Sequence, residues 1–158
     1  MTDSGDLELL TGPDAAHLLD AAVATAGGSL VSWRARQVDH RPGECTTVTY
    51  DTAVQWASGN ARETLGASIG LRRLADCPPG VLAMSDGHRQ VVVWRYPLDP
   101  ELPALAAACD DDDMAGLLES FGIDPSGLRL EVKSYRPRRR AVIEARSRTG
   151  RLFVKVLR

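Results

Sequence analysis

The last 31 residues, LRLEVKSYRPRRRAVIEARSRTGRLFVKVLR, leave few folds open to the chain that carries them. Leu128 to Tyr135, Ala141 to Arg146 and Arg151 to Leu157 are runs rich in alternating apolar residues, separated by a Pro/Arg corner and by Arg148-Thr149-Gly150. Period-two alternation broken by turn residues is the pattern of an antiparallel β-meander. In the third run Leu152, Val154 and Val156 fall on one face and Phe153, Lys155 and Leu157 on the other, because successive strand side chains point to opposite sides. Lys155 therefore has apolar neighbours on its own face.

Both lysines of the chain, Lys133 and Lys155, lie in this stretch, and the remaining 17 of the 19 basic residues are arginine. A compact ammonium on a flexible stem can enter a cleft and meet a phosphate as a point charge, which a planar guanidinium does with different geometry. The alternative is a solvated lysine at a strand end, its stem lying on apolar surface. Charge is divided along the chain: residues 1–124 carry 8 basic against 19 acidic side chains, net −11, and residues 125–158 carry 11 against 2, net +9. The tail thus offers a positive surface that attracts phosphates of nucleotides, nucleic acid or membranes, or that docks on the acidic part of the same molecule.

Strand, corner, strand, turn, then apolar-apolar-Lys-apolar resembles the first three strands of the protein-kinase-like amino lobe found in bacterial small-molecule kinases of the aminoglycoside phosphotransferase and maltokinase type. Tyr135-Arg136-Pro137-Arg138-Arg139-Arg140-Ala141-Val142 looks like their YRPGRRAV segment, and Leu152-Phe153-Val154-Lys155-Val156 like their nucleotide-lysine strand. The resemblance covers roughly the last fifth of the chain. It implies ATP as cofactor, with Mg2+ held by a carboxy-terminal lobe beyond this sequence. It further implies that Lys155 holds the α- and β-phosphates beneath the corner of Arg136, Arg138, Arg139 and Arg140, with Val142 and Phe153 beside the nucleotide. The corner has no glycine, and Pro137 has no N–H, so phosphate contact would come from arginine side chains.

At 158 residues and 44% hydrophobic composition the chain suits one domain or two small ones. No run approaches the roughly 18 apolar residues that cross a bilayer, and the start, MTDSGDLELL, is acidic where a secretory signal is basic, so no membrane partner is expected and the cytoplasm is the default location. Cys45, Cys77 and Cys109 are widely spaced, as are His17, His40 and His88, and no set has metal-ligand spacing. Asp110 to Asp113 read as helix caps rather than cation ligands.

From the amino terminus, a polar start precedes a helix opened by Pro13-Asp14-Ala15 and closed by Gly27-Gly28. Strands follow at Leu30 to Val38 and Thr46 to Trp56, with a weaker one near Ala61 to Ala67, then Leu71 to Ala75 and a hairpin of Val81 to Met84 with Gln90 to Tyr96 around Asp86-Gly87. An internal echo at an offset of 95 residues sets His40-Arg41-Pro42-Gly43 beside Tyr135-Arg136-Pro137-Arg138. The first unit has no lysine, and no nucleotide role is expected of it. Pro100 to Gly122 is helical by pattern, interrupted at Asp110 to Asp113.

The fold expected is α+β: residues 1–98 a cap of helix on antiparallel sheet, as in the larger kinases of this resemblance, 99–125 a helical linker, and 126–158 the start of a kinase-like amino lobe. The function expected is the amino-terminal portion of an ATP-dependent phosphotransferase acting on a sugar, aminosugar or aminoglycoside hydroxyl. This portion would supply phosphate contacts, while the catalytic residues and the acceptor site lie in a lobe to follow, and the chain alone would be inactive. The alternative is a non-enzymatic module whose Arg-rich hairpin binds nucleic acid or another polyanion. Against nucleic acid stands the lack of aromatic platforms, since Tyr135 and Phe153 are the only rings in the basic stretch. An inert structural domain stays open as a third reading.

Overall fold

The computed structural model describes residues 3–70 and 77–158, so the expectation for Leu71 to Ala75 lies outside the described residues. The chain is α+β and divides into two compact units, Met1–Tyr96 and Pro97–Arg158. Segment 99–125, expected as a linker, thus falls within the second unit.

In the first unit two helices, α1 (Asp3–Thr11) and α2 (Ala15–Ala24), precede β1 (Ser29–Arg41), β2 (Cys45–Trp56), β3 (Gly59–Ile69), β4 (Val81–Ser85) and β5 (Gln90–Arg95). The strands form an antiparallel sheet in the order β1-β2-β3-β5-β4. Alternation decides which side is covered: Val48, Tyr50 and Val54 of β2, Leu65, Ala67 and Ile69 of β3, and Val91 and Val93 of β5 form one buried cluster with Leu10, Leu19 and Val23 of the helices. Helix α1 corrects the expectation of a polar start. Its polar residues hid an apolar anchor, since Leu10 is fully buried and its carbonyl accepts the Tyr50 hydroxyl at 2.6 Å. Burial pushes the Tyr50 phenol well above its ordinary range, so it stays a donor at every working pH. Tyr50→Phe is expected to cost about 1–2 kcal/mol, the usual penalty for orphaning a buried acceptor, and to speed amide exchange in residues 3–11 before the sheet opens. Unchanged exchange there would sink this account.

The third strand, read as weaker, is central to this sheet and eleven residues long. Its small residues are why it reads as weaker, and one of them is set by packing. Gly66 lies against the Trp94 indole so closely that a β-carbon there would sit 2.3 Å from the ring, so a residue that lowers strand propensity is required by packing.

The second unit begins with α3 (Leu105–Ala108) and α4 (Asp111–Ser120) and ends in the antiparallel sheet β6 (Arg129–Arg136), β7 (Arg140–Ser147) and β8 (Gly150–Leu157), in the order β6-β7-β8. The acidic run is a cap: Asp110 Oδ1 accepts the N–H groups of Asp112 and Asp113, each at 3.0 Å. Gly122 closes α4 with φ +72°, and the Ile123 N–H returns to the Leu118 carbonyl. Ala141, Ile143, Ala145 and Val156 of the sheet are buried, as are Leu102, Leu105, Met114 and Leu118 of the helical segment.

The two sheets repeat one plan. In each, an Arg-Pro turn joins the first two strands, with the Glu44 N–H on the Arg41 carbonyl and the Arg139 N–H on the Arg136 carbonyl, both at 3.0 Å. The third turn residue is left-handed in both, Gly43 at φ +73° and Arg138 at φ +64°, as a type II turn demands. A two-residue turn, Ala57-Ser58 in one and Arg148-Thr149 in the other, follows in each and leads into a strand that opens on glycine, Gly59 paired with Trp56 and Gly150 with Ser147.

Candidate functional site

The register of the second sheet sorts the expected nucleotide residues. Directly opposed residues of an antiparallel pair share a face. Val142 opposes Lys155, Glu144 opposes Phe153, Arg140 opposes both Arg136 and Leu157, and Ser134 opposes Val142. Arg136, Arg140, Val142, Phe153 and Lys155 therefore stand together on the face turned away from Ala141 and Ile143. Phe153 and Leu157 are 56% and 57% exposed there and give the lysine apolar neighbours on the open face.

Electrostatics divide this face into two halves. Away from the corner, Glu144 is buried and takes Arg146 and Lys133 as partners, with Lys133 also 3.0 Å from Glu131. Arg146 and then Lys133 hold the Glu144 carboxyl below the usual carboxylate range, and Glu131 with Glu144 raises the Lys133 ammonium. Those charges are mutually satisfied. Near the corner the position is reversed, because Arg136, Arg140 and Lys155 have no acidic partner among the described residues. Opposed Cβ atoms lie about 5 Å apart and diagonal ones about 7–8 Å, so three cations are held within reach of one another at a cost in repulsion. An anion placed among them would offset that cost.

The corner that fixes Arg136 and Arg140 is clasped from the segment ahead of α3. Asp99 is 3% exposed. Its Oδ2 accepts the Tyr135 hydroxyl at 2.7 Å and the Arg138 N–H at 2.8 Å, while its Oδ1 accepts the Glu101 N–H at 2.9 Å. The Arg138 guanidinium, only 14% exposed, turns to Glu101 at 3.2 Å, and Arg158 approaches the same carboxylate at 3.6 Å. Arg138 thus leaves the group in which the resemblance placed it. Arg139 is the exposed turn residue next to it.

Along the free edge of β8 runs a groove of about 510 Å³, lined by Ala107, Met114 and Leu117 of the helical segment and by Val154, Lys155 and Leu157. Lys155 borders both this apolar groove and the cation group. The parts that alternation could not supply are Asp99 and Glu101, whose partners Tyr135, Arg138 and Arg158 lie 36 or more residues away. The only hint was an acid on either side of Pro100 in a segment otherwise read as helix. Among the described residues no helix is long and apolar enough to cross a membrane, and no cluster of three or more His, Cys, Asp or Glu side chains is placed to hold a metal ion. Comparisons with family models, with curated proteins and with solved structures found no match to this chain.

Proposed function

We propose that the second unit is a nucleotide-phosphate-binding sheet, the opening part of a kinase-like phosphotransferase that uses ATP to phosphorylate a sugar, aminosugar or aminoglycoside hydroxyl. The observation that carries this reading is the position of Lys155, at the meeting of an apolar groove and a pair of in-register arginines that have no acidic partner among the described residues. In it, Lys155 takes the α- and β-phosphates, Arg136 and Arg140 flank the chain of phosphates, and Val142 and Phe153 meet the base. Glu131 and Glu144 are engaged by Lys133 and Arg146. This face therefore suits phosphates, and the Mg2+ that accompanies ATP is assigned to ligands of a further lobe. The chain by itself is expected to turn over no substrate, because no described residue is assigned the role of catalytic base.

The test is an ATP titration of the purified chain followed by calorimetry. Binding is expected to be weak, and Lys155→Met to lower it by roughly 10- to 100-fold, the equivalent of about 1.5–3 kcal/mol for a charge-assisted contact. Met keeps the apolar stem, so circular dichroism should be unchanged. Equal affinity in the two proteins would reject the nucleotide reading. A preference for single-stranded nucleic acid over ATP, falling steeply with added salt, would replace it with the polyanion reading.

A further inference from the structure

The outer face of the first unit's sheet carries a hollow of about 740 Å³ that the reading above does not use. Two cross-strand rows build it. Ser32, Ala53 and Arg62 oppose one another across β1, β2 and β3, and Arg34, Asp51 and Thr64 form the next row. Tyr96, whose N–H donates to the Thr64 carbonyl at 2.9 Å, extends that row. Ala53 offers only a methyl between longer neighbours, which makes the centre low and the flanks high. The flanking strands are two inter-strand spacings apart, roughly 10 Å, about the span of one sugar ring bearing a phosphate.

The chemistry of the lining is mixed in an informative way. Asp51 takes Arg34 at 2.9 Å and Arg36 at 3.6 Å, so a single carboxylate serves two guanidiniums. Glu63, which also lines the hollow, is engaged by Arg95 at 2.8 Å, and Arg62 has no acidic partner among the described residues. With Arg34, Arg36, Arg62 and Arg95 set against Asp51 and Glu63, positive charge is in excess beside hydroxyls from Ser32 and Thr64 and a tyrosine ring. Guanidiniums suit a phosphate, while a carboxylate and hydroxyls suit the alternating donors and acceptors of a polyol.

We propose that this hollow binds a small anionic polyol of the sugar-phosphate class, its phosphate held by Arg62 and Arg34 and its hydroxyls by Asp51, Ser32 and Thr64. The site is separate from the Lys155 group and does not depend on the nucleotide reading. Calorimetric titration of the full chain with glucose 1-phosphate, glucose 6-phosphate, glucose and inorganic phosphate tests it. At least one sugar phosphate is expected to bind about tenfold or more tightly than either glucose or phosphate alone. Arg62→Ala, which removes the unpaired charge, and Ala53→Leu, which fills the hollow without touching a charge, should each weaken it by about tenfold or more, with the melting curve unchanged. Lys155→Met should leave it as it was. Equal binding of phosphate and sugar phosphate, no saturable binding of any probe at millimolar concentration, an Ala53→Leu protein that folds and binds normally, or loss of binding in Lys155→Met would each overturn the assignment.

Discussion

Asp99→Ala is expected to lower the stability of the second unit by about 3 kcal/mol. The carboxylate is 3% exposed and accepts three hydrogen bonds, from the Tyr135 hydroxyl and from the N–H groups of Arg138 and Glu101. Bonds to a charged acceptor contribute about 1.5–3 kcal/mol each, and orphaned buried donors add a desolvation penalty. The sum is not additive, because Tyr135 regains water once the corner loosens. Asp99→Asn should cost about half as much: its amide oxygen can still serve Tyr135 and Arg138, but its NH2 then faces the Glu101 N–H donor. For a unit of this size a loss of about 3 kcal/mol lowers the melting temperature by more than roughly 10 °C. Urea denaturation followed through the second unit checks it. A shift below about 1 kcal/mol for alanine, or equal shifts for alanine and asparagine, would show that the clasp is not what holds the corner.

What the sequence disclosed and what it withheld follow from the range of the interactions. Alternation is local, so the faces of β8 and the apolar set Val48, Tyr50 and Val54 were legible from period two alone. Capping is local as well, and Asp110 and Gly122 sit where helix-end chemistry puts them. The Arg-Pro echo was legible because a type II turn needs its residues in order, and the shared left-handed third position of Gly43 and Arg138 gives it a geometric basis. Contacts between distant segments left no local trace. The α1 anchor depends on a carbonyl meeting a tyrosine 40 residues on, and β3 looked weak because the reason for Gly66 is an indole 28 positions later in the chain. The same applies at the site: alternation placed Phe153, Lys155 and Leu157 on one face, but that Arg138 turns away from it is a consequence of Asp99 and Glu101.

That turn leads to a prediction in which two substitutions at one residue separate. Arg138 is the only described non-glycine residue with positive φ, a conformation costing a residue with a β-carbon roughly 1–2 kcal/mol. Its guanidinium recovers part of this through Glu101, which is 20% exposed. Arg138→Ala keeps the backbone cost and removes the partner, leaving Glu101 with Arg158 alone, so a loss of about 2–3 kcal/mol is expected, within the range for breaking a partly buried charge-assisted contact. Arg138→Gly removes the same partner but relieves the backbone, as Gly43 does at the equivalent turn, and should lie about 1 kcal/mol above alanine. Denaturation of the three proteins gives both differences. Function should separate in the opposite sense: because the Arg138 side chain faces Glu101 and not the open face, Arg138→Gly should bind ATP as the parent does, whereas Arg136→Ala or Arg140→Ala should weaken it by roughly tenfold. If Arg138→Gly instead matched Lys155→Met in lost affinity while staying folded, the guanidinium would have to leave Glu101 to meet the phosphates. The corner would then be a moving arm rather than a fixed one.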